Sequence, residues 1–100
     1  MNWNGVLPAV TTALNEDLSV DHGFLAEHAR WLLDNGCAGV VALGSLGEGA
    51  TMSFAEKQQI LRTFTGALQG RGPVVAAVSA LSTAEAVALA KSAAGVGCDA

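Results

Sequence analysis

The 100 residues are 51% hydrophobic and only 14% charged, with a net charge of −4 and a pI near 4.8, so the chain is rich in core material and has no basic patch for nucleic acid. No apolar run approaches the roughly 18 residues of a membrane span. Met1-Asn2-Trp3-Asn4 has neither the basic start nor the apolar core of a secretion signal, which makes a cytoplasmic location the default expectation and a membrane or nucleic-acid partner unexpected.

Gly5 to Thr12 is a short apolar run that ends in hydroxyls and reads as a first strand. Pro8 limits it to an edge or an irregular strand, because proline cannot donate to a ladder. Ala13 to Val20 is polar and turn-like. From Asp21 onward Phe24, Leu25, His28, Ala29, Leu32 and Leu33 recur at helical spacing, and Asn35-Gly36 closes the segment as a C-terminal cap.

Val40-Val41-Ala42-Leu43 then gives four consecutive apolar residues, the pattern of a strand buried on both faces. It runs directly into Gly44-Ser45-Leu46-Gly47-Glu48-Gly49. Glycines there admit backbone angles closed to other residues and let a ligand approach the main chain, so N–H groups beside Ser45 can hold an anionic oxygen. Glu48 can act as a general acid or base, but its place just before a helix favours a structural role, in which the carboxylate hydrogen-bonds backbone N–H groups and fixes the turn.

Ser53-Phe54-Ala55-Glu56 has the form of a capping box and starts a second helix, whose stripe of Ile60, Leu61, Phe64 and Leu68 runs to Gly70. Arg71-Gly72-Pro73 turns the chain into Val74 to Val78, a third buried strand. Ser82-Thr83-Ala84-Glu85 repeats the box ahead of an alanine-rich helix over 84–94, and Gly95-Val96-Gly97 ends it. Cys98-Asp99-Ala100 reads as the start of a fourth strand. Cys37 and Cys98 have neither metal-ligand nor C-x-x-C spacing and read as small buried hydrophobes. His22 and His28 are six apart, not the i, i+4 spacing of two ligands on one helical face, and read as surface or packing residues with no metal implied.

Strand, helix, strand, helix, strand, helix and a strand stub specify parallel strands with crossover helices, either a doubly wound sheet or a (β/α)8 barrel. Three and a half such units cannot close a barrel of about 250 residues, so the 100 residues are expected to be the N-terminal part of a longer chain.

Gly5-Val-Leu-Pro-Ala-Val-Thr11, Asp21, Leu32-Leu-Asp-Asn-Gly36, Gly39-Val-Val-Ala-Leu-Gly-Ser-Leu-Gly-Glu-Gly-Ala-Thr51, Gly70-Arg-Gly-Pro-Val-Val75 and Ser82-Thr-Ala-Glu85, in this order, resemble the dihydrodipicolinate synthase and N-acetylneuraminate lyase family. The resemblance covers essentially the whole chain and implies an α/β fold, the (β/α)8 TIM barrel, usually tetrameric. It implies Schiff-base chemistry of the aldolase type on pyruvate or a related 2-oxo acid with an aldehyde partner and no separate cofactor. In that family a lysine on the sixth strand and a tyrosine on the fourth carry the reaction. This sequence has no tyrosine, and Lys57 and Lys91 fall within helices, facing the wrong layer for a barrel-mouth nucleophile.

The resemblance maps the family's G-[ST]-[ST] onto Gly44, Ser45 and Leu46, which it implies hold the substrate carboxylate, Ser45 also joining a proton relay as a catalytic group. Leu46 departs from that pattern, because its side chain cannot donate to a carboxylate although its N–H can. Thr11-Thr12-Ala13-Leu14 departs from the family's T-P-F or T-P-M, and Ala77-Val78-Ser79-Ala80 from a glycine-rich strand end. All three lie at carboxyl ends of strands, where a barrel carries its site, and imply a differently shaped pocket. The alternative is a non-catalytic half-barrel, a binding or assembly module that pairs through its exposed sheet edges.

Overall fold

Each of the three helices starts on a side chain that caps it. In the computed structural model, which describes residues 1–100, α1 (His22–Asp34) begins on Asp21, whose carboxylate accepts the Phe24 N–H at 3.0 Å. It ends where Gly36, at φ +98°, lets the Cys37 N–H reach the Leu32 carbonyl at 3.0 Å and its own N–H reach Leu33 at 3.1 Å. For α2 (Phe54–Leu68) both arms of the capping box form, Glu56 N–H to Ser53 Oγ at 3.1 Å and Ser53 N–H to Glu56 Oε1 at 2.9 Å. The Ser53 N–H, and then its hydroxyl, hold the Glu56 carboxyl below its usual range. The box of α3 (Thr83–Gly95) forms by half: Ser82 Oγ accepts the Glu85 N–H at 3.2 Å, and Glu85 does not reach back.

The strands are shorter than their apolar runs. β1 (Val40–Ala42) and β2 (Val74–Ala76) pair in parallel, Val40 opposite Val74 and Ala42 opposite Ala76. The segment expected as a first strand is reduced to one parallel bridge, Ala9 to Val41, because Pro8 supplies no donor. Its carbonyls still take part: Val41 N–H donates to Pro8 at 2.9 Å and Ala38 N–H to Val6 at 2.8 Å, while Val10 N–H donates to Val41 at 3.0 Å. At the far edge Asp99 N–H donates to Val74 at 2.9 Å and Ala76 N–H to Ala100 at 2.8 Å. Four extended segments therefore lie side by side in chain order.

The molecule measures 36 × 35 × 20 Å, and α1 packs on α2 and α2 on α3 and β2. The thin dimension admits one sheet and one helix layer, with packed layers about 10 Å apart. Helices that succeed one another on a single face belong to a barrel wall, whereas a doubly wound sheet carries them on both faces.

Val40, Ala42 and Val74 are buried in one cluster with Leu25, Ala29, Ile60, Leu61, Phe64 and Leu68. Val41 and Val75, one residue out of phase, are only half-buried. The expectation of strands buried on both faces is thus met on the helix side alone. In a closed barrel the other face is filled by side chains from the remaining strands.

His22 Nδ1 lies 2.7 Å from Thr63 Oγ1 and joins α1 to α2, while His28 stacks on Phe24 and Trp31 with ring centroids 5.4 and 6.0 Å apart. Both serve packing, as the spacing suggests. Cys37 and Cys98 are free and half-buried, more accessible than expected. Burial, then the neighbouring Asp99 charge, pushes the Cys98 thiol up to about 11, so it stays protonated at neutral pH. No helix is long and apolar enough to cross a membrane.

The polar stretch after the first segment folds back on itself through an antiparallel bridge between Leu14 and Val20. Leu18 at its tip is 74% exposed and adopts φ +70°, a left-handed conformation that a leucine side chain disfavours. Leu18→Gly is expected to stabilise the protein by about 0.5–1 kcal/mol, the relief of strain exceeding the added freedom of the unfolded chain. Urea denaturation checks this, and a lower midpoint for the variant counts against it.

Candidate functional site

The carboxyl ends of the extended segments converge on the turn after β1. The apolar run ends one residue before the turn in an unexpected way, because buried Leu43 takes φ +66°. A left-handed leucine costs about 1–2 kcal/mol and persists only where its surroundings over-determine it. Glu48, at φ +56°, closes the turn with the same conformation. Between these two residues the chain reverses, and Gly49 N–H returns to the Gly44 carbonyl at 3.3 Å. A 3-10 turn over Gly49–Thr51 then leads to α2.

The N–H groups of Gly44, Ser45, Leu46 and Gly47 donate to no group of the chain. Ser45 and Leu46 are exposed, Gly44 is half-buried and Gly47 is buried. The Ser45 hydroxyl also makes no internal bond, so this turn offers main-chain donors and one hydroxyl to a ligand. Leu46 is 72% exposed, and its side chain projects beside them into solvent.

Glu48 does not fix the turn with its carboxylate, which caps no backbone N–H. Its backbone does so instead. The Glu48 N–H donates to Ser45 at 3.2 Å, and its carbonyl accepts from the Thr51 N–H at 3.0 Å and the Thr51 hydroxyl at 2.8 Å.

Thr12, at the end of the first segment, is buried and donates from Oγ1 to the Gly47 carbonyl at 2.6 Å. Neither this bond nor the left-handed leucine has a local signal in the sequence. Lys57 and Lys91 lie in helices, as expected, and Lys91 is exposed. Lys57 is buried and, with Ala50, Met52, Ser79, Ala80, Leu81 and Glu85, lines a cavity of about 340 Å³ between the 3-10 turn and the loop after β2. A cavity of about 390 Å³ lies at the opposite, amino end of the strands beside Asn2, Arg71, Gly72 and Asp99, the face of a barrel that serves stability. No group of three or more His, Cys, Asp or Glu side chains gathers around a common point.

The family model of the dihydrodipicolinate synthetase family matches residues 2–100. A 4-hydroxy-tetrahydrodipicolinate synthase of Prochlorococcus marinus is 37% identical over 94 residues, 94% of this chain and 31% of that protein. Among solved structures, dihydrodipicolinate synthase DapA-2 of Bacillus anthracis superposes with a TM-score of 0.94 at 26% identity, covering 99% of this chain and 34% of that one. The dihydrodipicolinate synthase of Acinetobacter baumannii, solved in complex with pyruvate, gives 0.91 at 33% identity over 95% of this chain and 33% of that one. The chain thus spans about a third of the length of the relatives it matches. With the one-sided helix layer, the parallel segments in chain order and a match over nearly every residue, the chain belongs to the dihydrodipicolinate synthetase family and has the fold of the first part of its (β/α)8 barrel.

Proposed function

We propose that this chain is the N-terminal part of a single-barrel, homo-oligomeric lyase or synthase of the aldolase type, tetrameric as the resemblance implies. It forms a Schiff base with pyruvate or a related 2-oxo acid and couples that carbon to an aldehyde, or releases it. Gly44, Ser45 and Leu46 receive the carboxylate through their N–H groups, and Ser45 passes a proton through its hydroxyl. The observation that carries the reading is the run of free N–H groups from Gly44 to Gly47 at the carboxyl end of β1, in a chain whose pyruvate-bound relative shares its fold. The lysine nucleophile and the tyrosine lie beyond residue 100. The half-barrel module has no observation of this kind in its favour.

Borohydride trapping tests the proposal. A lysine amine attacks the keto carbon, water leaves, and hydride added to the resulting C=N carbon gives a stable secondary amine. The full-length protein with pyruvate is expected to gain one reduced adduct per subunit, and residues 1–100 alone none. An adduct on Lys57 or Lys91 overturns the placement of the nucleophile. No adduct on the full-length protein overturns the reading and favours the binding module.

A further inference from the structure

We propose that Thr12 is a positioning residue for the substrate-binding turn: its hydroxyl, bonded to the Gly47 carbonyl, fixes the direction in which the Ser45 and Leu46 N–H groups face a ligand. This rests on the reading of the turn given above. The bond is short, 2.6 Å, buried, and joins residues 35 apart in sequence. A buried hydroxyl–carbonyl bond of this kind is expensive to break from one side, because the carbonyl left behind has no water to replace its partner.

The turn needs such a tie. Its ends are Leu43 and Glu48, two non-glycine residues in the left-handed region, a conformation that neither adopts by preference. Its middle, Gly44 to Gly47, makes few bonds of its own. Thr51 Oγ1 bonds the Glu48 carbonyl from within the following 3-10 turn. Thr12 is therefore the one side chain that ties the loop to a distant segment by a hydrogen bond. Gly47 is also held by contact, since a Cβ there would stand 3.1 Å from both the Leu43 nitrogen and the Val10 carbonyl oxygen. The Gly47 peptide is thus seated against the first segment, and the Thr12 hydroxyl closes that seat. A shift of its carbonyl rotates the peptide plane between Gly47 and Glu48 and, through it, the approach of the two N–H groups before it.

Two variants of the full-length protein separate hydroxyl from packing. Thr12→Val keeps the shape and removes the donor, and Thr12→Ser keeps the donor and removes the methyl. With pyruvate, Thr12→Val is expected to raise KM about tenfold with kcat changed less than about threefold, and Thr12→Ser to stay within about twofold of the parent in both. Deuterium exchange at the Glu48 and Gly49 N–H groups, the two that are bonded within the turn, is expected to quicken about tenfold in Thr12→Val, with α2 unchanged as the folding control. Equal impairment in the two variants overturns the proposal, because the methyl rather than the hydroxyl then matters. So does a Thr12→Val protein with parental KM or parental exchange. A parent protein that does not react with pyruvate defeats the proposed function alone, and the exchange measurement still decides whether Thr12 holds the turn.

Discussion

Replacing Ser45 by alanine in the full-length protein is expected to lower kcat by roughly 10²-fold while KM moves less than about threefold, the signature of lost proton transfer rather than lost binding. The backbone N–H groups of Gly44, Ser45, Leu46 and Gly47 survive the substitution, and they are the groups free to hold an anion. The hydroxyl is exposed and makes no internal hydrogen bond, so its loss leaves the fold almost untouched, within about 0.5 kcal/mol. Were the hydroxyl only a ground-state anchor, KM would rise and kcat would hold. Thr12→Val is expected to give the opposite split, with KM affected and kcat spared, so the two variants together assign proton transfer and positioning to different side chains. Steady-state kinetics with both constants within about twofold of the parent would remove Ser45 from the site.

Helices were legible in this sequence because their signals are local. Asp21, Ser53 and Ser82 cap within three residues of themselves, and Gly36 and Gly97 end helices through their own left-handed backbone. Strands were legible as apolar runs but not in length, since a ladder depends on a partner elsewhere in the chain. Pro8 shortens the first.

The turn was found from its glycines, and its mechanics were not. Glu48 stands where a capping carboxylate is usual, yet its contribution is a left-handed backbone and a carbonyl. Leu43 shares that conformation with no residue type to announce it. The Thr12 bond spans 35 residues and has no periodicity to betray it. Helical position puts Lys57 in α2, and nothing local in the sequence shows that it is buried there beside Ala50 and Met52.

Gly49→Ala is expected to destabilise the full-length protein by about 1–3 kcal/mol, the range for overpacking a site that cannot relax. A Cβ on Gly49 would stand on the Leu43 carbonyl oxygen and 3.1 Å from the Leu43 carbonyl carbon. Those are backbone atoms, and they belong to a buried residue already held at φ +66°, so neither a rotamer change nor an easy backbone shift makes room. The Gly49 N–H to Gly44 bond at 3.3 Å, which closes the turn, would lengthen first. Gly44→Ala is the matched control. Nothing lies within 4 Å of a Cβ at Gly44, so the same methyl added five residues earlier is expected to change stability by less than about 0.5 kcal/mol. Urea denaturation of the two variants beside the parent reads the difference directly. Equal midpoints for Gly49→Ala and Gly44→Ala would mean that the turn yields at Leu43, and that the left-handed leucine is not the fixed post on which the N–H groups of this site are hung.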